Sequence, residues 1–106
     1  MEGVIGFVPW AGGTVNADGT TAVFVGGKVA RVGVGTYQVT LDRPFTHGLG
    51  VILSTVDVVP GVGTARFVTH QHVTDSLIEV DTFNAAGAAV DGAFDILFAR
   101  LGGSGA

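Results

Sequence analysis

Apolar and polar residues alternate over several short segments of the chain, as they do in a β-strand with one buried face. The alternation is clearest at residues 37–41 and 78–81. Turn-forming glycine, proline, asparagine and aspartate residues separate these segments. The pattern predicts strands at residues 3–8, 21–25, 28–32, 37–41, 51–58, 65–73, 76–83 and 94–100. We therefore expect an all-β fold, a single-domain antiparallel β-sandwich that is jelly-roll-like with about eight strands.

Helical signals are weak along the whole chain. Valine and threonine are abundant, and their branched side chains favour strands over helices. Residues 84–90 have a helical composition, but the segment is short and contains Gly87, so we interpret it as a loop. The length of 106 residues fits one domain. We assign residues 1–101 to the sandwich and residues 102–106 to a glycine-rich C-terminal tail.

The last predicted strand is apolar on both of its faces. Phe94 and Phe98 project to one side of it, and Leu97 and Leu101 project to the other. A two-layer sandwich covers only one face of each strand. Charged residues make up 13 % of the chain, about half the usual fraction. These features predict that a second subunit covers the remaining apolar face, and the residues we expect at that interface are Trp10, Phe94, Phe98 and Leu101.

Composition excludes several classes of partner and site. Five basic against nine acidic residues give a net charge of −4, which argues against nucleic-acid binding. The absence of cysteine excludes a disulfide framework and a cysteine-ligated zinc site. The acidic N-terminus does not resemble a signal peptide, and the uncharged residues 3–17 are too short, and too interrupted by Pro9, to span a membrane. We expect neither a nucleic acid nor a membrane as partner.

The sequence shows no catalytic constellation. Glu79 and Asp81 share one strand face, but such a pair is more typical of a solvated surface than of a glycosidase site. Ser54 and Ser76 have no evident base partner in the sequence. Ser104 lacks the strand–turn–helix context of a nucleophile elbow. We therefore expect no enzymatic activity, no catalytic residue and no bound cofactor.

One candidate metal site stands apart from this pattern. His70 and His72 are two positions apart in a predicted strand, so both imidazoles project from the same face. Two imidazoles are too few for a metal site in one chain, whereas three copies of this strand around a trimer axis would surround a transition metal with six. The alternatives are two partly exposed histidines on a hydrogen-bonded strand, or a ring of histidines at a subunit interface.

Short motifs along the chain occur in a suggestive order. They are WAGGT at residues 10–14, GTYQVTL at residues 35–41 and TFNAAG at residues 82–87. This order resembles the C-terminal β-domains of tailed-phage tail fibres and related virion surface proteins, including capsid decoration proteins. The resemblance covers residues 8–101, although Leu41 stands where those domains usually have an aromatic residue. The strand pattern also resembles the trimeric jelly rolls of the C1q/TNF type.

The resemblance implies a homotrimeric, non-enzymatic phage structural protein. Such a module would decorate or stabilise the capsid, or cap a tail or fibre structure. It would be made in the host cytoplasm without a signal peptide and would lie at the virion surface. Its partners would be further copies of itself and other virion proteins, such as the major capsid or tail proteins. An alternative is a lectin-like module that binds a host surface glycan as its receptor.

Overall fold

The structure is a computed structural model that describes residues 4–46, 48, 50–57 and 65–104. These residues form eight strands and no helix. The strands are β1 (Val4–Val15), β2 (Thr21–Val25), β3 (Gly27–Gly33), β4 (Thr36–Leu41), β5 (Gly50–Asp57), β6 (Phe67–His72), β7 (Leu77–Phe83) and β8 (Ala93–Ser104). Within the described ranges there is accordingly no helix with the length and apolar character needed to cross a membrane.

The strands form two antiparallel sheets that pack as a sandwich. One sheet has the order β2-β1-β8-β5 and the other has the order β3-β4-β7-β6. The central pairs are β1 with β8 and β4 with β7, so the first and last strands lie side by side and enclose the inner strands in sequence. This nesting gives the jelly-roll-like arrangement, and the predicted all-β sandwich is confirmed.

The core lies between the two sheets and is built from every second residue of the central strands. Tyr37 on β4 and Phe94 on β8 are fully buried, and their rings meet edge to face at 5.1 Å. Phe98 meets Phe45 in the same way at 5.7 Å. Such aromatic pairs add to the stabilisation from burial alone. The remaining members of the cluster are aliphatic: Ala11, Val15, Val39, Leu41, Ile78, Val80 and Ile96.

Buried polar groups in the core have hydrogen-bond partners. The Tyr37 hydroxyl donates to the carbonyl of Ala17 at 2.7 Å and accepts from the amide of Gly92 at 3.2 Å. Thr82, which is also fully buried, donates from Oγ1 to the carbonyl of Val90 at 2.5 Å. No buried side-chain nitrogen or oxygen of the described residues lacks a partner. Tyr37 and Thr82 therefore tie loops to the inner surface of the β3-β4-β7-β6 sheet.

Strand β1 is longer than the pattern predicts. It continues to Val15, past Pro9 and the pair Gly12-Gly13. The strand register shifts between Pro9 and Ala11, and such a bulge accommodates a residue that has no amide hydrogen to donate. Gly13 lies against the carbonyl of Val23, and a Cβ there would collide with it. Glycine is thus required at Gly13 because β2 approaches closely.

Strand β8 also runs further than predicted. It continues through Ser104, and this residue pairs with Val4 on β1. Part of the segment that we assigned to a C-terminal tail, residues 102–104, is therefore paired in the sheet. The backbone of β8 forms an unbroken ladder with β1 at this end of the sandwich.

Candidate assembly surface

The two sheets present outer faces of different chemical character. We call the outer face of the β2-β1-β8-β5 sheet the apolar face. Its exposed large apolar side chains lie on three of the four strands: Val23 and Val25 on β2, Leu53 on β5, and Leu97 and Leu101 on β8. Asp95 on β8 and Asp57 on β5 are exposed on the same side, toward one end of the face. Strand β1 contributes Pro9, Gly12 and Thr14 to the same side, as the register with β8 shows.

A single row of the apolar face crosses all four strands. Paired residues of neighbouring antiparallel strands project to the same side. In this register the row contains Val25, Gly12, Leu97 and Leu53 in that order. The exposed fractions are 67 % for Val25, 44 % for Leu97 and 58 % for Leu53. No charged side chain interrupts the row.

Gly12 creates a hollow in this row. Because Gly12 has no side chain, a concave space of about 370 Å³ opens between Val25 and Leu97, with Pro9 on its wall. Trp10 and Arg43 lie at the rim. The surface of the apolar face is therefore uneven, with a hollow over β1 and exposed aliphatic side chains on β2, β8 and β5.

Trp10 is held in place at the rim of the hollow. Its Nε1 donates to the carbonyl of Arg43 at 3.1 Å, and the Arg43 guanidinium lies 4.0 Å from the centre of its ring. Its ring also packs against Phe45 at 6.1 Å. Since cation–π contact and packing occupy the indole, Trp10 is a fixed part of the rim.

The outer face of the other sheet is polar at its centre. Gln38 on β4 pairs with Glu79 on β7, and Thr36 pairs with Asp81. Thr36 donates from Oγ1 to the Asp81 carboxylate at 3.2 Å. The pKa of Glu79 is raised because it shares a hydrogen bond with Asp81 and lies in the field of that negative charge. This face is suited to contact with water, as expected for a sandwich with one solvated side.

The predicted interface residues divide between the surface and the core. Leu101 is 46 % exposed and lies on the apolar face, and Trp10 lies at the rim of the hollow. Phe94 and Phe98 are fully buried between the two sheets of one chain, so the interface prediction is corrected for these two residues. The alternation distinguishes two apolar faces of β8, but either could have been the inner one.

His70 and His72 share a face, as predicted, and that face is directed toward the other sheet. They pair with Val80 and Ile78, which are core residues. Together with Phe45, Gly50 and Ile52 they line a cleft of about 290 Å³ between β5 and β6. His70 is exposed at the mouth of this cleft and His72 is half-buried, and metal binding by the pair across a trimer axis stays a prediction. No group of three or more metal-ligating side chains occurs among the described residues.

Each histidine in the cleft has a polar contact. His72 Nε2 lies 3.1 Å from the carbonyl of Phe45, and the two rings are stacked. His70 Nδ1 lies 3.3 Å from Ser54 Oγ on β5, in the opposite sheet. Burial lowers the pKa of His70, and the nearby His72 lowers it further.

Sequence reasoning missed the contact between Ser54 and His70. The two residues are sixteen positions apart on strands of different sheets. Only the way β5 and β6 close the edge of the sandwich brings them together. No local motif carries that information, because it depends on which edges of the two sheets meet.

Comparison with protein-family models, with curated proteins and with solved structures finds no match for this chain.

Proposed function

We propose that this protein is a non-enzymatic structural module that assembles as a homotrimer at the surface of a phage virion. There it decorates or stabilises the capsid, or caps a tail or fibre structure, in contact with other virion proteins. The observation that carries the proposal is the apolar face, whose exposed aliphatic side chains lie on three of its four strands while the opposite face is polar at its centre. Exposed apolar patches of this kind mark interaction sites.

The exposed apolar surface gives a free-energy gain on association that can be estimated from its five aliphatic side chains. Five aliphatic side chains on this face retain between 44 % and 67 % of their exposure. Burying a whole aliphatic side chain contributes about 1.5–3 kcal/mol, so each of these has about 1 kcal/mol left to gain. One face then contributes about 5 kcal/mol per subunit, which is comparable with the lower range of the entropic cost of association.

Closed rings of identical subunits suit such a face. In a heterologous arrangement, one half of the face contacts one neighbour and the other half contacts the next. Three copies then cover the whole apolar face of every subunit. The resemblance of the motifs to trimeric virion proteins supports this arrangement over a dimer.

The lectin-like alternative receives less support from the aromatic residues. Carbohydrate sites use exposed aromatic rings as stacking platforms. Tyr37 is fully buried in the core, and Arg43 covers the ring of Trp10, whereas Phe67 on β6 is 55 % exposed. A panel of surface glycans tests this alternative directly, and binding that is lost on changing a loop aspartate would favour it.

The experiment that tests assembly compares two substitutions on opposite outer faces. Leu97→Asp places a charge in the centre of the apolar face, and Thr40→Asp places the same charge on the exposed polar face. We expect native mass measurements to give three subunits for the unmodified chain and for Thr40→Asp, and a folded monomer for Leu97→Asp. A monomeric unmodified chain, or a Leu97→Asp variant that keeps the trimer mass, contradicts the proposal.

The location on a virion is tested separately. An antibody raised against this chain should label intact purified particles, since a surface module is accessible without disruption. Label that appears only after the particles are broken open would contradict a surface location.

A further inference from the structure

A serine on β5 lies next to a histidine on β6, at the edge of the sandwich where the two sheets meet. Ser54 Oγ is 3.3 Å from His70 Nδ1. Ser54 pairs with Ile96 and His70 pairs with Val80, and both of these partners belong to the core. The serine and the histidine therefore project toward each other from the inner sides of the two sheets, and regular strands hold them in place.

The contact has the chemistry that activates a serine hydroxyl. An imidazole is largely neutral above a pH of about 6.5, and it then accepts a proton at the ring nitrogen that carries no hydrogen. With its hydrogen on Nε2, His70 accepts from the Ser54 hydroxyl at Nδ1. A serine is a weak nucleophile by itself and becomes reactive when such a base lies within hydrogen-bond reach.

The cleft between β5 and β6 gives small molecules access to the pair. His70 lines this cleft and is exposed at its mouth, and Ser54 is half-buried beside it. Phe45 and Ile52 give the cleft apolar walls, and its volume is about 290 Å³. Sites for larger organic ligands measure about 300–1,000 Å³, so the space suits a short acyl chain.

We propose that Ser54 is an acylation site, at which a short-chain activated ester transfers its acyl group to Oγ with His70 as the base. Ser54 Oγ forms a bond to the carbonyl carbon of the ester while its proton moves to His70 Nδ1. The bond between that carbon and the leaving-group oxygen then breaks, and this oxygen takes up the proton from His70. The products are one acylated Ser54 and one free alcohol.

This modification goes beyond the proposed assembly and does not depend on it. The pair lies on the inner side of β5, whereas the apolar face is on the outer side of the same strand. A single acyl group per chain requires no turnover, so the site is consistent with a structural module.

Acetylation of the unmodified chain by p-nitrophenyl acetate tests the site, with peptide mass mapping to give the rate at each serine. Ser76 is the internal control, because it is half-buried like Ser54 and its hydroxyl has no imidazole partner among the described residues. General-base assistance contributes about 10²–10⁴-fold, so Ser54 should be acetylated about a hundredfold faster than Ser76. A ratio below about tenfold would overturn the proposal.

Two histidine variants identify the base. His70→Gln should lower the rate at Ser54 to that at Ser76. His72→Gln is the matched control, since His72 lies in the same cleft and contacts the carbonyl of Phe45, and it should keep the fast acetylation. Circular dichroism checks that both variants are folded, and the comparison of Ser54 with Ser76 needs neither of them. An unchanged rate in His70→Gln, or an equal loss in the two variants, would overturn the role of His70.

Discussion

Tyr37→Phe is the substitution for which the structure gives the most definite expectation. It keeps the ring that packs on Phe94 and removes only the hydroxyl, which bridges the carbonyl of Ala17 and the amide of Gly92. Those two backbone groups belong to loops at opposite ends of the sequence. Without the hydroxyl, both groups lose their hydrogen-bond partner; the Gly92 amide is buried and the Ala17 carbonyl is partly buried.

The cost follows from the desolvation of groups that lose their hydrogen bond. One buried unsatisfied group costs about 1–3 kcal/mol, and the Ala17 carbonyl is only partly buried, so the pair should cost about 2–3 kcal/mol. An unfolding entropy of about 2.1 cal/mol/K per residue makes each kcal/mol about 4.5 °C in Tm for a chain of this length. We therefore expect Tyr37→Phe to lower Tm by about 9–14 °C.

The measurement is thermal unfolding at one fixed protein concentration, since association shifts Tm by mass action. Gln38→Ala, the next residue on β4 and directed to the polar face, serves as the matched control and should shift Tm by less than about 2 °C. If Tyr37→Phe shifts Tm no more than this control, the hydroxyl bridge contributes nothing. The account of how Tyr37 ties the loops to the sheet would then be wrong.

Two further predictions concern charged and titratable groups. Asp91 accepts hydrogen bonds from Arg31 Nε at 3.0 Å and from the Gly35 amide at 2.8 Å. Asp91→Asn keeps an oxygen that can accept from Gly35, so Asp91→Ala should lower Tm clearly more than Asp91→Asn does. Equal Tm values for the two variants would contradict this role of the Gly35 contact. His70 has its pKa lowered by burial and by His72 in the cleft it shares with Ser54, so the unfolded chain binds a proton more readily than the folded one. Above the ordinary pKa of 6.5, His70 is neutral in both states and the folded chain keeps its full stability. As the pH falls from 6.5 toward the lowered pKa, the unfolded chain binds the proton first and the free energy of unfolding decreases. His70→Gln should reduce the fall in Tm between neutral and mildly acidic pH, and an unchanged fall would refute the assignment to His70.

The strands were predictable because alternation and turn residues are local signals. Strand β2 begins and ends at the predicted residues, and β4 and β7 differ from the prediction by one residue at one end. The misses at β1 and β8 have a different origin. Pro9 and Gly13 are unfavourable in an isolated strand, and a bulge and a close approach of β2 make them acceptable here. Those features depend on neighbouring strands, which the local pattern does not describe.

The assignment of faces could not be predicted from the sequence. Strand β8 has aromatic residues on one side and leucines on the other. Alternation shows which residues share a side, but it does not show which side faces the core. The structure places Phe94 and Phe98 inside because their rings fill the space opposite Tyr37 and Phe45. The same ambiguity applied to His70 and His72, whose shared face was predictable and whose direction was not.

The two outer faces of the sandwich differ in chemical character. Both sheets contribute similar aliphatic and aromatic residues to the core, so the core alone gives no reason for an apolar outer face on either. Yet the β2-β1-β8-β5 sheet has Val25, Leu97 and Leu53 in one exposed row, and the other sheet has Gln38 paired with Glu79 at its centre. The assembly that we propose would account for this difference, because association would cover the exposed row. Polar substitutions of Val25, Leu97 and Leu53 should therefore weaken association more than they destabilise the single chain, whereas core substitutions should do the reverse.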